Sequence, residues 1–198
     1  MFRHVLYRIA SKPGLFLFLR KAGHFHFISE RRVIRNYFLS LPPGSGILHI
    51  ACESGYFSNF FRDYSYTGVD LSEVKIAYAR KHFKGDFKVM DAMALEFEAS
   101  SFDGILLSGV FHNIDDITSI QVLREAKRVL KPGGKVLILE DYYADGAPGL
   151  FERFDRYFDP PEVIRNPNQY LDLFTPHIRS QYKGMIRSGS RKMMVFQS

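Results

Sequence analysis

Short apolar runs alternate with segments of helical periodicity along most of this chain. The runs that predict buried strands are residues 46–51, 66–70, 87–90, 102–108 and 135–140. The segments that predict helices have apolar residues three or four positions apart, and they are residues 56–64, 72–83 and 117–130. Strands that alternate with helices favour a parallel sheet with helices on both faces.

The two ends of the chain depart from this alternation. Residues 2–10 and 29–40 predict two N-terminal helices, and Pro42-Pro43-Gly44 separates them from the alternating part. Residues 180–187 and 191–197 predict an antiparallel hairpin. We therefore expect an N-terminal helical segment, or lid, over residues 1–43 and a main domain over 44–198. Residues 142–176 form an insertion in that domain.

Composition restricts the class of protein. Of the 198 residues, 46% are hydrophobic and 24% charged, which is typical of a globular domain. The single cysteine, Cys52, excludes an internal disulfide and a cysteine-rich metal site. It favours a reducing compartment, so we expect a cytoplasmic location and no metal. The first 29 residues lack acids and contain arginines, a composition also similar to a mitochondrial transit peptide, although serine is scarce.

Charge is unevenly distributed along the chain. Residues 1–37 carry a net charge of +7, residues 38–172 carry −6 and residues 173–198 carry +5. Basic ends around an acidic middle are compatible with solvated helix faces. They are also compatible with attraction to an anionic substrate, a membrane surface or nucleic acid. In particular, the apolar and basic residues 1–28 suit weak contact with a membrane surface.

The most informative stretch is Ile47-Leu48-His49-Ile50-Ala51-Cys52-Glu53-Ser54-Gly55. It predicts a strand, a tight turn and the start of a helix, an arrangement in which backbone N–H groups and the helix dipole converge on a ligand. Polar residues also follow the other predicted strands, and they are Asp70, Asp91, Ser108, His112, Glu140 and Asp141. Because such strand ends meet at one edge of a parallel sheet, we expect these side chains to line one pocket there.

Several stretches together resemble the class I S-adenosylmethionine-dependent methyltransferases, in their small-molecule, type 11-like branch. They are ILHIACESGYFS, YTGVDLS, FKVMDAMALEFEASSFDGIL, FHNIDD and LREAKRVLKPGGKVLILED. The resemblance covers about residues 45–141, and the closing hairpin by topology. It implies an α/β fold with a Rossmann-like doubly wound sheet, mostly parallel, with a C-terminal antiparallel hairpin strand. It also implies S-adenosylmethionine as cofactor and methyl transfer to a small-molecule acceptor.

The resemblance also implies roles for individual residues. Asp70 would accept hydrogen bonds from the ribose hydroxyls, and Asp91 would accept one from the adenine amino group. Leu71 would pack beside the adenine, and the Ala92 N–H would face a ring nitrogen. Ser108 and Gly109 would run beneath the sulfonium. The implied cofactor-binding set is His49, Ala51, Glu53, Gly55, Asp70, Leu71, Asp91, Ala92, Ser108 and Gly109.

The loop after the first strand departs from the family pattern. An acid is usual where His49 stands, and glycines are usual where Ala51 and Glu53 stand. Glu53 brings negative charge close to the expected position of the cofactor carboxylate. One hypothesis is that Glu53 turns aside and pairs with the cofactor ammonium, which compensates for His49. The other is that cofactor binding is weakened.

Methyl transfer from a sulfonium requires mainly alignment, and a base only when the acceptor must lose a proton. His112, shortly past the fourth strand, is the candidate catalytic base; Asp141, Tyr143 and His177 are weaker candidates. Asp103, at the far end of the fourth strand, is expected to be structural. Residues 142–176 would cover an acceptor that is apolar or anionic.

Three alternatives remain open at this point. A nicotinamide-dependent oxidoreductase would share the first loop and Asp70, but it leaves the Asp91 stretch and the hairpin unexplained. A degenerate methyltransferase fold could act as a non-catalytic binding or scaffold protein. Specific nucleic-acid methylation is not expected, because the chain has no separate recognition domain and no motif for a flipped-out base.

Overall fold

A computed structural model describes residues 13–23, 27–142, 162–189 and 191–198. The helices are α1 (Pro13–Gly23), α2 (Ile28–Phe38), α3 (Glu73–His82), α4 (Asp116–Val129) and α5 (Pro167–Phe174). The strands are β1 (Gly46–Ile50), β2 (Ser65–Asp70), β3 (Asp86–Val89), β4 (Phe102–Ser108), β5 (Leu130–Tyr142), β6 (Gln181–Ser188) and β7 (Arg191–Gln197). Two short 3₁₀ helices span Tyr56–Phe60 and Phe111–Asn113.

The seven strands form one sheet in the order β3-β2-β1-β4-β5-β7-β6. The first five pair in parallel, while β7 runs antiparallel to both β5 and β6. This confirms the predicted fold class and the C-terminal hairpin. Strand order reverses at β1, between β2 and β4, so the carboxyl ends of these central strands flank the crevice where ligands bind in open α/β sheets.

One local prediction was wrong. Residues 56–64 do not form an α-helix; only a 3₁₀ helix, Tyr56–Phe60, is present, and its aromatic rings pack tightly on one another and on Phe27. Residues 13–23, for which no helix was predicted, form α1. Its start at Pro13 is physically reasonable, because the first helical position needs no N–H donor and accepts the fixed φ of proline.

Two further sequence predictions concern the start of the chain and the predicted insertion, residues 142–176. The helix predicted over residues 2–10 and the aromatic residues between 143 and 161 lie outside the described residues. Within the predicted insertion, α5 is a well-defined helix. Its start is a capping box, in which the Asn166 side chain accepts from the Gln169 N–H and the Gln169 side chain accepts from the Asn166 N–H.

The sheet separates two hydrophobic layers. On one face, α4 and α5 pack on the central strands, with Leu123 and Phe174 fully buried. On the other face, α2 contributes the fully buried Ile34 and Phe38 to the same cluster as Ile47 of β1. The described part of the N-terminal segment therefore shares the core of the main domain.

Helix α1 lies near the carboxyl edge of β1. Its Leu17 is buried in the same cluster as α2, and a Cβ added at Gly14 would come within 3.1 Å of the Tyr78 ring of α3. This close approach holds α1 against α3. No helix among the described residues combines the length and apolarity that a membrane crossing requires.

Candidate cofactor site

The loop that follows β1, residues 51–55, is called the β1 loop below. Three of its residues have left-handed backbone conformations: Ala51 at φ 56°, Glu53 at φ 49° and Gly55 at φ 78°. Glycine adopts this region without a Cβ penalty, whereas another residue pays about 1–2 kcal/mol. The chain thus keeps a glycine-type backbone path at two positions where glycine itself is absent.

Gly55 is required by space as well as by conformation. A Cβ at this position would lie 2.6 Å from Cε1 of Phe87 and 2.7 Å from Cβ of Ala79. Both neighbours belong to the buried cluster beneath the loop. Gly55 therefore lets the loop lie directly on β3 and α3.

Asp70, the last residue of β2, is attached to the β1 loop. Its Oδ2 accepts a hydrogen bond from the Glu53 N–H at 2.9 Å, and its Oδ1 accepts one from the Ser72 N–H at 3.0 Å. Each carboxylate oxygen has two acceptor positions, so one on each remains for a ligand hydroxyl. Asp70 is nine-tenths buried, which strengthens such bonds.

The Glu53 side chain turns aside from the loop and lies between two cations. Its Oε2 is 2.8 Å from Nη1 of Arg20 on α1, and its Oε1 is 3.5 Å from Nζ of Lys75 on α3. Burial lowers the pKa of Lys75, but the Glu53 and Asp70 charges raise it, and the net shift is upward. Glu53 therefore connects α1, the β1 loop and α3 through charge.

His49 is the next-to-last residue of β1, at the position where the resemblance leads one to expect an acid. Its Nδ1 is 2.8 Å from the Tyr66 hydroxyl, and its ring stacks on Phe57. Its buried Nε2 has no hydrogen-bond partner among the described residues. Burial lowers the pKa of His49 to about 3, against the opposing effect of Glu53, so the ring is neutral at physiological pH.

A cavity that is open to solvent lies between α1 and the β1 loop. His49, Ala51, Glu53 and Ser108 line it together with Leu17 and Arg20. Because His49 is neutral, the charged groups among the described lining residues are Arg20 and Glu53, one of each sign. Four of the residues predicted for cofactor binding therefore meet in one cavity.

The other predicted cofactor residues lie along the same edge of the sheet but outside this cavity. Leu71, directly after β2, is 72% exposed. The Asp91 side chain, past the end of β3, accepts a hydrogen bond from the Met93 N–H at 2.8 Å, and Ala92 is half-buried beside it. Gly109 follows Ser108 with a φ of 66°. The structure thus leaves an open, partly apolar shelf beside Asp70.

The predicted base, His112, lies in a separate buried cluster. Its Nδ1 bonds to the carboxylate of Glu140, which also accepts the N–H groups of Val110 and Phe111 at 3.1 and 2.8 Å. Its Nε2 is 3.1 Å from Nδ2 of Asn113. His112 is 1% exposed and does not line the described cavity.

The weaker candidates for the base are dispersed. Asp141 is buried at the end of β5, next to Glu140. His177 lies in the turn after α5, where burial and the charges of Arg124 and Lys127 lower its pKa. Tyr143 lies outside the described residues.

Asp103 is at the opposite edge of the sheet, where its carboxylate accepts the Gly46 N–H and the Lys131 ammonium, both at 2.8 Å. These bonds join β4 to the starts of β1 and β5, which is compatible with the structural role expected for Asp103.

Sequence reasoning missed three residues that organise these clusters. Arg20 escaped because its segment was not predicted to be helical. Lys75 looked like an ordinary solvated residue of α3. Arg165 escaped because nothing in its local pattern shows that its guanidinium is buried, where it donates to the carbonyls of Phe111 and Ile114. Of the three, only Lys75 could have been found from the sequence, since it lies in the first turn of the helix that follows Asp70.

Comparison with known proteins agrees with this architecture. The family described as "Methyltransferase domain" matches residues 48–138. A ubiquinone/menaquinone biosynthesis C-methyltransferase from Desulfotalea psychrophila is 36% identical over 106 residues, which cover 50% of this chain and 42% of that protein. A tRNA (carboxymethyluridine(34)-5-O)-methyltransferase from Xenopus tropicalis is 31% identical over 118 residues, covering 57% and 19% respectively.

A solved structure has a similar fold. It is a SAM-dependent methyltransferase from Methanosarcina mazei, with a TM-score of 0.62 and 23% identity, covering 84% of this chain and 96% of that one. The chain spans less than half the length of the two curated relatives described above. The matching residues run from within β1 to within β5, and they include the β1 loop and Asp70. Residues 48–138 of this chain therefore match a methyltransferase domain, and the chain has the fold of that solved structure.

Proposed function

We propose that this protein binds S-adenosylmethionine and transfers its methyl group to a small-molecule acceptor. The observation that carries the proposal is the Asp70 carboxylate, buried at the end of β2 and bonded to the β1 loop at Glu53 N–H. This carboxylate, which we expect to bind the ribose, is thereby attached to a residue that lines the same cavity as His49 and Ser108. The matching relatives support the same class of chemistry.

The residues of this chain fit the cofactor on two structural criteria. Gly55 keeps the β1 loop against the core where a Cβ would clash, and residues 51–54 of that loop line the cavity. The buried Nε2 of His49 lacks a partner among the described residues, and an unsatisfied buried polar atom costs free energy until a ligand bonds to it. Both features are expected of a site shaped for a polar ligand.

When bound, the cofactor supplies an activated methyl group, which an acceptor lone pair takes as the carbon–sulfur bond breaks and a thioether leaves. Asp70 would hold the ribose, and Leu71, Asp91 and Ala92 would hold the adenine on the open shelf. Ser108 and Gly109 would line the methyl-transfer side. The main contribution of the protein is then orientation, which is worth on the order of 7–11 kcal/mol in well-aligned reactions.

His112 remains a prediction as the base. Its Nδ1 is engaged by Glu140, a bond that would fix Nε2 as the acceptor nitrogen of a neutral ring. That nitrogen contacts Asn113 rather than the cavity, so proton removal would require Asn113 to give way to an acceptor. Acceptors that need no base would bypass this requirement.

The acceptor is not identified beyond a small molecule: an anionic acceptor suits the basic ends of the chain, and an apolar one suits the many aromatic residues in the sequence of 142–176. A quinone-type acceptor is the first to test, because a curated relative that matches half of this chain is a quinone biosynthesis C-methyltransferase. A cytoplasmic location and weak membrane contact through residues 1–28 also remain predictions. Within that segment, Phe18 of α1 is 66% exposed, which is compatible with surface contact.

The experiment is calorimetric titration of ligand-free protein with S-adenosylmethionine and S-adenosylhomocysteine. We expect binding by the wild type and a loss of roughly 100-fold in Asp70→Ala, since two charge-assisted hydrogen bonds are removed. Asp103→Asn is the matched control, because it alters a carboxylate at the opposite edge of the sheet and should bind normally. Equal binding by Asp70→Ala and the wild type would contradict the proposal.

The second candidate is a non-catalytic binding or scaffold protein. It is favoured by the β1 loop, where Ala51 and Glu53 replace glycines and Glu53 is engaged by Arg20. Absence of cofactor binding by the folded wild type would support this alternative. So would binding of S-adenosylmethionine without methyl transfer to a panel of quinone, phenol and amine acceptors.

A further inference from the structure

We propose that this protein docks on an anionic lipid surface through a group of exposed residues beside the cavity, called the rim below. The rim has three parts, which are helix α1, the start of α2 and the tip of the β6–β7 hairpin. Its side chains are Phe18, Lys21, Ile28, Arg31, Arg187 and Lys192. Such docking would extend the contact expected of residues 1–28 to the far end of the chain.

The hairpin tip lies at the edge of the sheet that carries the cavity. Lys192 of β7 pairs with Tyr142, at the carboxyl end of β5, and Arg187 of β6 pairs with Lys192. The side chains of both cations are exposed. Because the carboxyl ends of the parallel strands meet at one edge, these two charges lie at the same edge as the β1 loop.

The start of α2 is attached to this hairpin tip. The Ser29 hydroxyl donates to the Arg187 carbonyl at 2.5 Å, and the Ser188 hydroxyl donates to the Glu30 carboxylate. Each bond joins residues 158 positions apart. The fold therefore brings together the two basic ends of the chain, which an acidic middle separates in the sequence.

Helices α1 and α2 both place a cation beside Tyr56, which lines the cavity. Nζ of Lys21 lies 4.2 Å from the centre of the Tyr56 ring. Burial raises the pKa of Tyr56, and the nearby charge of Arg31 opposes that rise. Phe27, the residue before α2, lines the cavity as well. The rim and the cavity are therefore adjacent.

The exposed charge of these elements is positive. Helices α1 and α2 and strands β6 and β7 contain nine basic residues and one acid, Glu30. Glu30 is 1% exposed and bonded to Ser188, so it offers little negative charge to a partner. Each cation close to an anionic membrane strengthens binding roughly 5-fold. The charge of the rim is therefore complementary to anionic headgroups.

Large apolar side chains stand exposed among these cations. Phe18 of α1 is 66% exposed and Ile28 of α2 is 65% exposed. A lipid interface accommodates both kinds of side chain, because the cations meet headgroups while the apolar groups enter the acyl boundary. RNA would use the cations and stack on aromatic rings, but the rim has a single aromatic ring, Phe18. The combination favours lipid over nucleic acid.

Docking through the rim would turn the edge of the sheet that carries the cavity towards the bilayer. Under the proposed function, on which this step alone rests, an apolar acceptor would then enter the site from the lipid rather than from water. The lipid binding itself requires neither cofactor nor acceptor, so it can be measured separately.

The first experiment is co-sedimentation of the full chain with vesicles. One set contains phosphatidylcholine alone, and the other contains phosphatidylcholine mixed with phosphatidylglycerol. The wild type should bind the mixed vesicles more strongly than the neutral ones, and added salt should weaken this binding. Absence of binding to the mixed vesicles at low salt would overturn the proposal.

The far end of α2 provides matched controls. There, the Tyr64 hydroxyl, just before β2, donates to the Phe38 carbonyl at 2.9 Å, so this end lies at the amino edge of the sheet. Arg35 and Arg62 are exposed cations near that end, and Leu39 is 75% exposed. These side chains resemble those of the rim in charge, apolarity and exposure but lie away from the cavity.

Paired substitutions test the charges. The double variant Arg31→Gln/Arg187→Gln should weaken binding to the mixed vesicles roughly 10- to 30-fold at physiological salt. The control Arg35→Gln/Arg62→Gln removes the same net charge and should bind as the wild type, because its sites lie beyond the range of the screened surface. Equal weakening in the two double variants would show that net charge alone drives binding, and the rim would be wrong.

An introduced indole tests the orientation. The chain contains no tryptophan, so a single one reports only its own surroundings. With mixed vesicles, the emission of Phe18→Trp should shift to the blue and be quenched by brominated lipid. That of Leu39→Trp should do neither. Any other pattern of quenching between these two variants would contradict docking through the rim.

Two further outcomes separate the alternatives. If the wild type bound an RNA oligonucleotide but no vesicles, and Arg31→Gln/Arg187→Gln weakened that binding, the rim would be a nucleic-acid site and the proposal would be wrong. Vesicle binding without S-adenosylhomocysteine binding would contradict the proposed function and leave the docking surface intact. Cofactor binding without vesicle binding would do the reverse.

Discussion

Two polar clusters lie at the carboxyl edge of the same sheet, and they differ in how completely their groups are satisfied. In the Glu140 cluster, a fully buried carboxylate is bonded to His112 and to the N–H groups of Val110 and Phe111. In the β1-loop cluster, the Glu53 side chain is 34% exposed, the buried Asp70 keeps acceptor positions for a ligand, and His49 has a partnerless ring nitrogen among the described residues.

This difference indicates a structural role for the Glu140 cluster and a ligand-binding role for the β1-loop cluster. A saturated buried network contributes rigidity and has little capacity for a ligand, whereas an open one has acceptors to offer. The Glu140 cluster therefore fixes the segment after β4, and the β1-loop cluster is the one suited to the cofactor. The following predictions test this contrast, from the largest expected effect to the smallest.

Removal of the Glu140 side chain should cause the largest loss of stability. Glu140→Ala leaves two buried N–H groups and the His112 ring without their acceptor, and we expect a loss of about 3–5 kcal/mol in the free energy of unfolding. Urea denaturation measures it. The control is Asp86→Ala, which breaks an exposed pair with Lys88 and should change stability little. A loss of less than about 1 kcal/mol for Glu140→Ala would show that the cluster is not the rigid one.

Gly55→Ala should have the second largest effect on stability, a destabilisation of about 2–4 kcal/mol. The new Cβ would overlap Phe87 and Ala79, and the residue would also hold a left-handed backbone. Gly44→Ala is a matched control, because Gly44 has a similar φ of 83° but no atom within 4 Å of the added Cβ. Thermal and urea unfolding of both variants would separate the packing cost from the backbone cost. Equal losses in the two variants would mean that packing beneath the β1 loop is not tight.

The lowered pKa of His49 should make the free energy of unfolding depend on pH. Its folded-state pKa, about 3, lies below the ordinary 6.5, so the unfolded state binds more protons between these values. The stabilisation is complete above about pH 6.5 and is lost as pH falls towards 3, with a slope of at most about 1.4 kcal/mol per pH unit. Urea unfolding at pH 7, 6 and 5 measures this slope. His49→Asn should flatten it, and an unchanged slope would exclude His49 as its source.

Ala51→Gly should have the smallest effect and the opposite sign. Glycine relieves the left-handed backbone at this position but removes a partly buried methyl group and adds unfolded-state entropy, so we expect a gain below about 1 kcal/mol. Ala77→Gly, at an exposed position of α3, is the reference and should lose about 1 kcal/mol. Differential unfolding of the two variants is the measurement. Equal losses would show that Ala51 is not strained.

Much of the fold could be predicted because its signals are local. The bounds of β4 and the cap of α3 by Ser72 follow from an apolar run and from a side-chain oxygen that accepts the Lys75 N–H. The 3₁₀ helix Tyr56–Phe60 could not be predicted. Its ring contacts with Phe27 and with the aromatic residues around it are tertiary, and they outweigh a weak local preference for an α-helix.

In the candidate site, too, some features could be predicted from local sequence and others could not. Asp70 and Ser108 could be placed at strand ends from the alternation alone, because parallel strands bring their carboxyl ends together. The partner of Glu53 could not, since Arg20 is 33 residues away and on a helix whose position depends on packing against Tyr78. The enclosure of His112 also required knowledge of Glu140, 28 residues further along.

The sequence by itself determined the order of strands and helices, the glycine at position 55 and the acids at the strand ends. Those features follow from periodicity and from backbone chemistry within a few residues. Only the tertiary structure decided which charges meet. It placed α1 over the β1 loop, directed Glu53 towards Arg20 and enclosed His112 with Glu140, because each of these contacts depends on how distant elements pack against the sheet.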